Sequence, residues 1–379
     1  MNGSASLLGM NGWQRGAALV LCALLVSLSP KAHCGDPPAT SRIAPPPKGQ
    51  LYHGVYPGGK TGEEDDLTLQ DLVTYETAVG AKAAWVYFSN NWYRSRKFPK
   101  ATAEWIRQSG AVPFIRLMLR TSAAEDTEEK TFTLDAIRTG AFDDDLKAWA
   151  RAASAFGTPL IVEWGTECNG KWFPWNGRWH GGKEKRGFGD PEKADGPERF
   201  VAAFRHMVIT MRGEGAGNIS WVFHPNAQDV PEDEWNRFEH YWPGADVVDW
   251  IAVSVYGAKT PDDEDREATP FRKQMDRVYP RLARLDPDKP IIVAELGATA
   301  GHRKISAEDW ADSALKSILD HRWPRVAGFS WWNERWENGK DRKDTTMRVQ
   351  DLPELARVFK DRLRDKRDLI LQRPVVKTE

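Results

Sequence analysis

The chain has 379 residues, enough for one large barrel-type domain or two ordinary ones. Lys and Arg (53) nearly balance Asp and Glu (54), so no strong net field draws the protein to nucleic acid or to an anionic membrane surface. Eighteen tryptophans depart from ordinary usage, and flat rings near strand ends and loops suit the apolar faces of sugars better than they suit nucleotides.

The first 34 residues read as a signal peptide. Arg15 precedes the apolar run Ala17–Val26, which is too short to span a bilayer comfortably, and the small residues Ala32 and Cys34 suit cleavage before Gly35. The expected product is exported, secreted or periplasmic. A lipid anchor at Cys34 is the weaker alternative, because Lys31-Ala32-His33 lacks the apolar and small residues that precede a lipidated cysteine. With the leader removed only Cys168 remains, so the fold has no internal disulfide and depends on its own core. Residues 35–48 hold Asp36-Pro37-Pro38 and Pro45-Pro46-Pro47 and read as a proline-rich linker.

From 49 to 365 short apolar runs alternate with longer amphipathic ones. The expected strands are Leu51–Tyr56, Ala83–Phe88, Val112–Leu119, Leu160–Glu167, Ile219–His224, Val248–Tyr256, Pro290–Glu295 and Val326–Trp332. Three- and four-residue apolar spacing predicts helices over Leu67–Val79, Lys100–Gln108, Phe142–Ala155, Pro197–Arg212, Phe271–Arg284, Ala307–Asp320 and Asp351–Arg364. Eight such units imply an α/β fold, a single-domain (β/α)8 TIM barrel over 49–365, with 366–379 a charged, solvated tail.

Chemistry in such a barrel sits at the C-terminal ends of the strands. The fourth expected strand ends in Glu167 and runs into a loop carrying Trp172, Phe173 and Trp175. The seventh, Ile291-Ile292-Val293-Ala294-Glu295-Leu296-Gly297, ends in a second acid that is costly to bury without a partner or a task. Two carboxylates beside an aromatic loop suit cleavage of a glycosidic bond, which needs a proton donor and a second carboxylate on either side of the anomeric carbon. Cys168 reads as a buried thiol: no histidine adjoins it, and on a strand it points away from Glu167. The loop Arg178–Glu198 has glycines but no phosphate-binding spacing, and reads as a cleft wall with solvated basic residues. No Asp, Glu and His cluster at metal-ligand spacing, so neither metal nor other cofactor is expected.

The stretch Glu167-Cys168-Asn169-Gly170-Lys171-Trp172-Phe173-Pro174-Trp175 resembles the acid/base motif Glu-x-Asn-Gly-x-Trp-x-Pro-Trp of glycoside hydrolase family 26, the β-mannanase and lichenase family. Gly54–Gly59, Trp221–Asn226, Tyr241–Trp250 with Tyr256, and Trp331-Trp332-Asn333 with Arg348-Val349 resemble other pieces of the same family in the same order, so the likeness covers roughly residues 50–360. It implies Glu167 as acid/base, Glu295 as nucleophile, Tyr256 as a hydrogen-bond donor to that nucleophile, Trp331 as the floor at the cleavage point, and Trp172 and Trp175 as subsite walls. Asn169 is expected to contact a substrate 2-hydroxyl or to shape the turn. His224 is expected to bind a sugar hydroxyl or orient the site, or else to be a satisfied structural histidine. Asp246 and Asp249 read as capping residues.

Two positions depart from the family. Its usual His before the acid/base and Arg three residues earlier are Thr166 and Glu163 here. Alternation along the strand puts Glu163 on the inward face below Glu167, where it needs a cation, and Arg116 is the expected partner. The expectation is a monomeric retaining endo-glycosidase, acting without cofactor on a β-linked polysaccharide, with β-1,4-mannan or mixed-linkage β-glucan first and xylan or an exopolysaccharide behind. The alternative is a non-catalytic carbohydrate-binding protein on the same barrel, which would be free to lose Glu167, Glu295, Tyr256 or Trp331; all four are present.

Overall fold

Eight parallel strands close into a barrel: β1 (Leu51–Tyr56), β2 (Trp85–Asn91), β3 (Val112–Met118), β4 (Leu160–Trp164), β5 (Ile219–Phe223), β6 (Trp250–Tyr256), β7 (Ile291–Gly297) and β8 (Val326–Trp332). Closure is direct, with Tyr52–Tyr56 of β1 paired in register with Gly328–Trp332 of β8. This computed structural model describes residues 41–266, 268–340 and 342–378; the expected signal peptide and residues 35–40 of the expected linker lie outside the described residues.

Helices cover the outside: α1 (Leu69–Val79), α2 (Lys100–Gln108), α3 (Leu134–Arg138), α4 (Asp143–Phe156), α5 (Asp195–Gly213), α6 (Phe271–Leu285), α7 (Ala307–Leu319) and α8 (Pro353–Asp365). Between β5 and β6 the usual helix is replaced by two 3-10 turns, Glu234–Asn236 and Phe238–Tyr241. The α1 boundaries are set locally. Thr68 and Asp71 form a reciprocal capping box, and Gly80 closes the helix at φ 71°. No helix among the described residues is long and apolar enough to cross a membrane.

Because the strands are parallel and covered on both faces, they read as continuous apolar runs, and side-chain parity decides which layer each residue joins. Outward residues meet the helices: Trp164 packs on Phe200 and Phe204 of α5. Inward residues such as Tyr52, Trp85, Phe114, Ile161, Val222, Ala252 and Ile292 fill the barrel. Toward the C-terminal end the same inward rows turn polar, with Tyr87, Arg116, Glu163 and Ser254 all buried. That change marks the site.

The segments that flank the barrel, 41–43 and 370–378, carry strands that the sequence does not suggest. Ser41–Ile43, placed in the expected linker, pairs antiparallel with Val376–Thr378, and Ile370–Leu371 adds to β1 in parallel. Ile43 is buried in the barrel-interior cluster, Tyr52 donates to the Ala44 carbonyl (2.9 Å), and the Val375 amide donates to Tyr52 (3.0 Å). The expected charged tail is largely exposed, and its Ile370–Leu371 and Val376–Thr378 segments form a clasp at the N-terminal end of the barrel. Its apolar residues come as two runs, Leu369-Ile370-Leu371 and Val375-Val376, each too short to register as a barrel strand.

Candidate active site

Strand β4 stops at Trp164, three residues short of the expected end. The chain turns at Gly165 (φ 70°), where a Cβ would stand 2.4 Å from the Phe200 ring, so glycine alone fits. Glu167 also adopts a left-handed backbone (φ 49°), a strained choice for a glutamate that aims its side chain up from the barrel. Its amide donates to the His224 carbonyl (2.5 Å), and its own carbonyl accepts from Gly170 (2.7 Å). The Trp175 indole N–H donates to the Thr166 carbonyl (2.7 Å), and the Trp172 indole lies against Gly170 and donates to Glu167 Oε2 (2.6 Å). The aromatic loop therefore holds the carboxylate in place.

Glu295 arrives by a different device. Alternation along β7 puts Ile292 and Ala294 inside, which by itself would send Glu295 out to the helices. The register against β6 slips, so that Val253 faces Val293 but Ser254 faces Glu295, and a matching slip occurs against β8. A bulge at this point re-aims the side chain into the barrel mouth. There Tyr256 donates to Glu295 Oε2 (2.7 Å) and Arg116 pairs with Oε1.

Arg116 is the hub of the polar layer. Its guanidinium forks to three acids: Nη1 to Glu64 (2.8 Å), Nε to Glu163 (3.2 Å) and Nη2 to Glu295. The expected Arg116–Glu163 pair is present, and its further reach to Glu295 was not anticipated. Tyr87 donates to Glu163, whose second oxygen meets His224 Nδ1 (2.7 Å). Burial drives the Glu295 carboxyl up, to about 7, against the opposing pull of Arg116. Burial works in the same sense on Glu163, but His224 and Arg116 overcome it and hold that carboxyl below its ordinary value.

Above this layer opens a cleft of about 530 Å³ whose lining includes Glu64, Arg116, Glu167, Glu295, Trp172, Phe173, Tyr256, Lys259, Trp332, Glu334 and Trp336. Four of the expected residues meet here: Glu167, Glu295, Trp172 and Tyr256. Four do not line it. Trp331 is fully buried behind the barrel wall, its indole donating to the Met347 carbonyl (2.8 Å) and packing on Phe359 of α8, and its neighbour Trp332 lines the cleft instead. Trp175 lies under the loop, stacked on Phe173 at 4.6 Å. Asn169 is buried with every polar atom used: its amide donates to Asn226, Gln228 and Asp229, and its oxygen accepts the Asn226 amide. It shapes the turn and has nothing left for a sugar. His224 is buried between Glu163 and Ser254 beneath the cleft. Cys168 is buried, and burial raises its thiol well above the usual range.

The cleft also holds residues the sequence did not mark. Glu334 bonds to Tyr56 (2.6 Å) and to the Arg335 amide (2.7 Å). Trp336 is locked by Asn338 (2.8 Å) on a hairpin formed by Arg335–Trp336 and Thr345–Thr346. Among the described residues no group of His, Cys, Asp and Glu could hold a metal ion.

Comparison with known proteins gives the following. A sequence model of glycosyl hydrolase family 26 matches residues 127–324, a span that contains Glu167 and Glu295. Endoglucanase H of Acetivibrio thermocellus is 25% identical over 312 residues, 82% of this chain and 30% of that protein. A β-1,3-xylanase from a Vibrio species is 27% identical over 121 residues, 32% of this chain and 22% of that protein. The chain spans less than a third of the length of these curated relatives. Among solved structures, a Cellulomonas fimi endo-β-1,4-mannanase double mutant matches with TM-score 0.59 at 17% identity, over 86% of this chain and 72% of that one. A β-mannanase from Bacteroides ovatus matches with TM-score 0.54 at 15% identity, over 85% and 90%. At such identity the structural likeness speaks for the barrel fold.

Proposed function

As the chain belongs to glycosyl hydrolase family 26, we propose that it is a retaining endo-glycosidase that cleaves a β-linked polysaccharide by double displacement. The observation that carries this reading is one cleft in which two glutamates, each only 5% exposed, are each held by an aromatic donor, Trp172 on Glu167 and Tyr256 on Glu295.

Glu167 protonates the glycosidic oxygen as Glu295 attacks the anomeric carbon, forming a glycosyl ester and releasing the leaving sugar. Glu167, now ionised, takes a proton from water as that water attacks the same carbon and frees Glu295. The Tyr256 hydroxyl favours the charged form of Glu295. Trp332 serves as the floor beneath the reacting sugar, and Trp172, Phe173 and Trp336 offer apolar ring faces on either side. The first substrates to expect are β-1,4-mannan and mixed-linkage β-glucan; the name of the A. thermocellus relative favours keeping glucan beside mannan, as does Thr166 at the position where the family usually has histidine. Export by the N-terminal leader would bring the protein to such a polymer.

The test is hydrolysis of mannan, lichenan, xylan and β-1,3-glucan beside Glu167→Ala. Cleavage of one polymer that this change abolishes supports the reading; binding without cleavage by the unaltered protein overturns it in favour of a carbohydrate-binding role. A pH dependence follows as well. The attacking carboxylate must be charged, so kcat/KM is expected to fall about tenfold per pH unit below about 7, the value to which burial lifts Glu295. A pH–rate profile flat down to pH 5 contradicts that assignment.

A further inference from the structure

Beneath both glutamates lies a second charge pair that touches no cleft surface. His224 closes β5 and is fully buried. Its Nδ1 is 2.7 Å from Glu163 Oε2 and 3.1 Å from Thr166 Oγ1, and its Nε2 is 2.9 Å from Ser254 Oγ on β6. Ser254 is the strand partner of Glu295, and the His224 carbonyl accepts the Glu167 amide, so this residue adjoins both arms of the site. The charged groups facing it are Glu163 and Glu167 from β4 and its turn and Glu295 from β7; Arg116 of β3 and Tyr87 of β2 reach it through Glu163.

We propose that His224 is a positioning residue held as an imidazolium by Glu163, and that its buried charge, together with Arg116, keeps Glu295 ionisable in a dry pocket while its backbone fixes the height of Glu167. This rests on Glu295 acting as the nucleophile. Glu163 and Glu295, both buried, share one guanidinium with the part-exposed Glu64, and in a low-dielectric layer a single cation does not match two buried carboxylates. A second cation at His224 leaves Glu163 matched and Arg116 free for Glu295. Geometry permits it: both ring nitrogens face oxygens, so each can donate. Burial alone would lower this imidazole, yet Glu163 raises it above its ordinary value.

Two measurements test this on the full protein. In the first, 15N-labelled histidine is followed by NMR. A His224 ring that carries protons on both nitrogens at pH 7.5 supports the proposal; a neutral ring, with Nε2 accepting from Ser254, overturns it whether or not the protein is an enzyme. The second is His224→Asn, whose amide can still donate to Glu163 but carries no charge. The 13C-carboxyl titration of Glu295, identified by its absence in Glu295→Gln, is expected to move up by about one unit. The acid limb of kcat/KM should follow it, a roughly tenfold loss below the limb with KM little changed. An unmoved Glu295 titration overturns the proposal, and because it is read without substrate it separates that failure from a wrong assignment of the reaction.

Discussion

Replacing Glu295 by Gln is expected to lower hydrolysis by about 10⁴–10⁶-fold and at the same time to stabilise the fold at pH 8 by about 1–3 kcal/mol. In the proposed double displacement, the loss follows from removing the atom that would form the covalent bond. The gain follows from electrostatics. Burial places the Glu295 carboxyl at about 7 in the folded protein, against about 4.3 in an unfolded chain. Between those values the folded state binds the proton more strongly, so stability declines as pH rises from about 4.3 through 7 and stays reduced above. A neutral amide escapes that cost while keeping the shape, and Arg116 retains Glu64 and Glu163. The two proteins should therefore melt together at pH 4 and separate at pH 8. Equal melting temperatures at pH 8 would show that Glu295 is not under electrostatic strain.

Arg116→Ala is expected to act in the opposite sense on stability. Three carboxylates, Glu64, Glu163 and Glu295, lose their shared cation, and breaking such a buried network from one side costs about 3–5 kcal/mol. The guanidinium also lies over the Tyr87 and Trp332 rings at 4.9 and 5.1 Å, so packing is lost with the charge. The deficit should shrink toward pH 4 as the acids take up protons. Arg116→Lys, one point charge in place of a fork, should recover only part of it. Urea unfolding of these variants at pH 5 and pH 8 decides the matter, and an unchanged midpoint in Arg116→Ala would remove Arg116 from its central place.

How far the sequence carries the fold depends on what each feature needs. Short, mostly apolar runs give Leu51–Tyr56 and Val326–Trp332 at their observed limits, because a parallel barrel strand is buried on both faces. Glu163 was readable as an inward acid, and Arg116 as its partner, because β3 and β4 keep strict alternation; the two residues face each other in register. The same parity could have separated Trp331 from Trp332. Gly328 and Ser330 face inward against Trp85, which places Trp332 inside with them and turns Trp331 out to α8. Other features leave no pattern in the sequence. The slip on β7 that swings Glu295 inward, and the left-handed turn that lifts Glu167, are set by contacts between strands and loops rather than by periodicity. The hydrogen-bonded enclosure of Asn169 likewise depends on where the loop after β5 returns, and that of His224 on Glu163 and Ser254 of the neighbouring strands.

Double displacement fixes the stereochemistry of cleavage. Proton NMR of the first product released from a soluble oligosaccharide by the mature protein should show the β-anomer before mutarotation, because two displacements at one carbon preserve its configuration. The α-anomer appearing first would mean that water attacks in a single step, and would contradict Glu295 as a nucleophile.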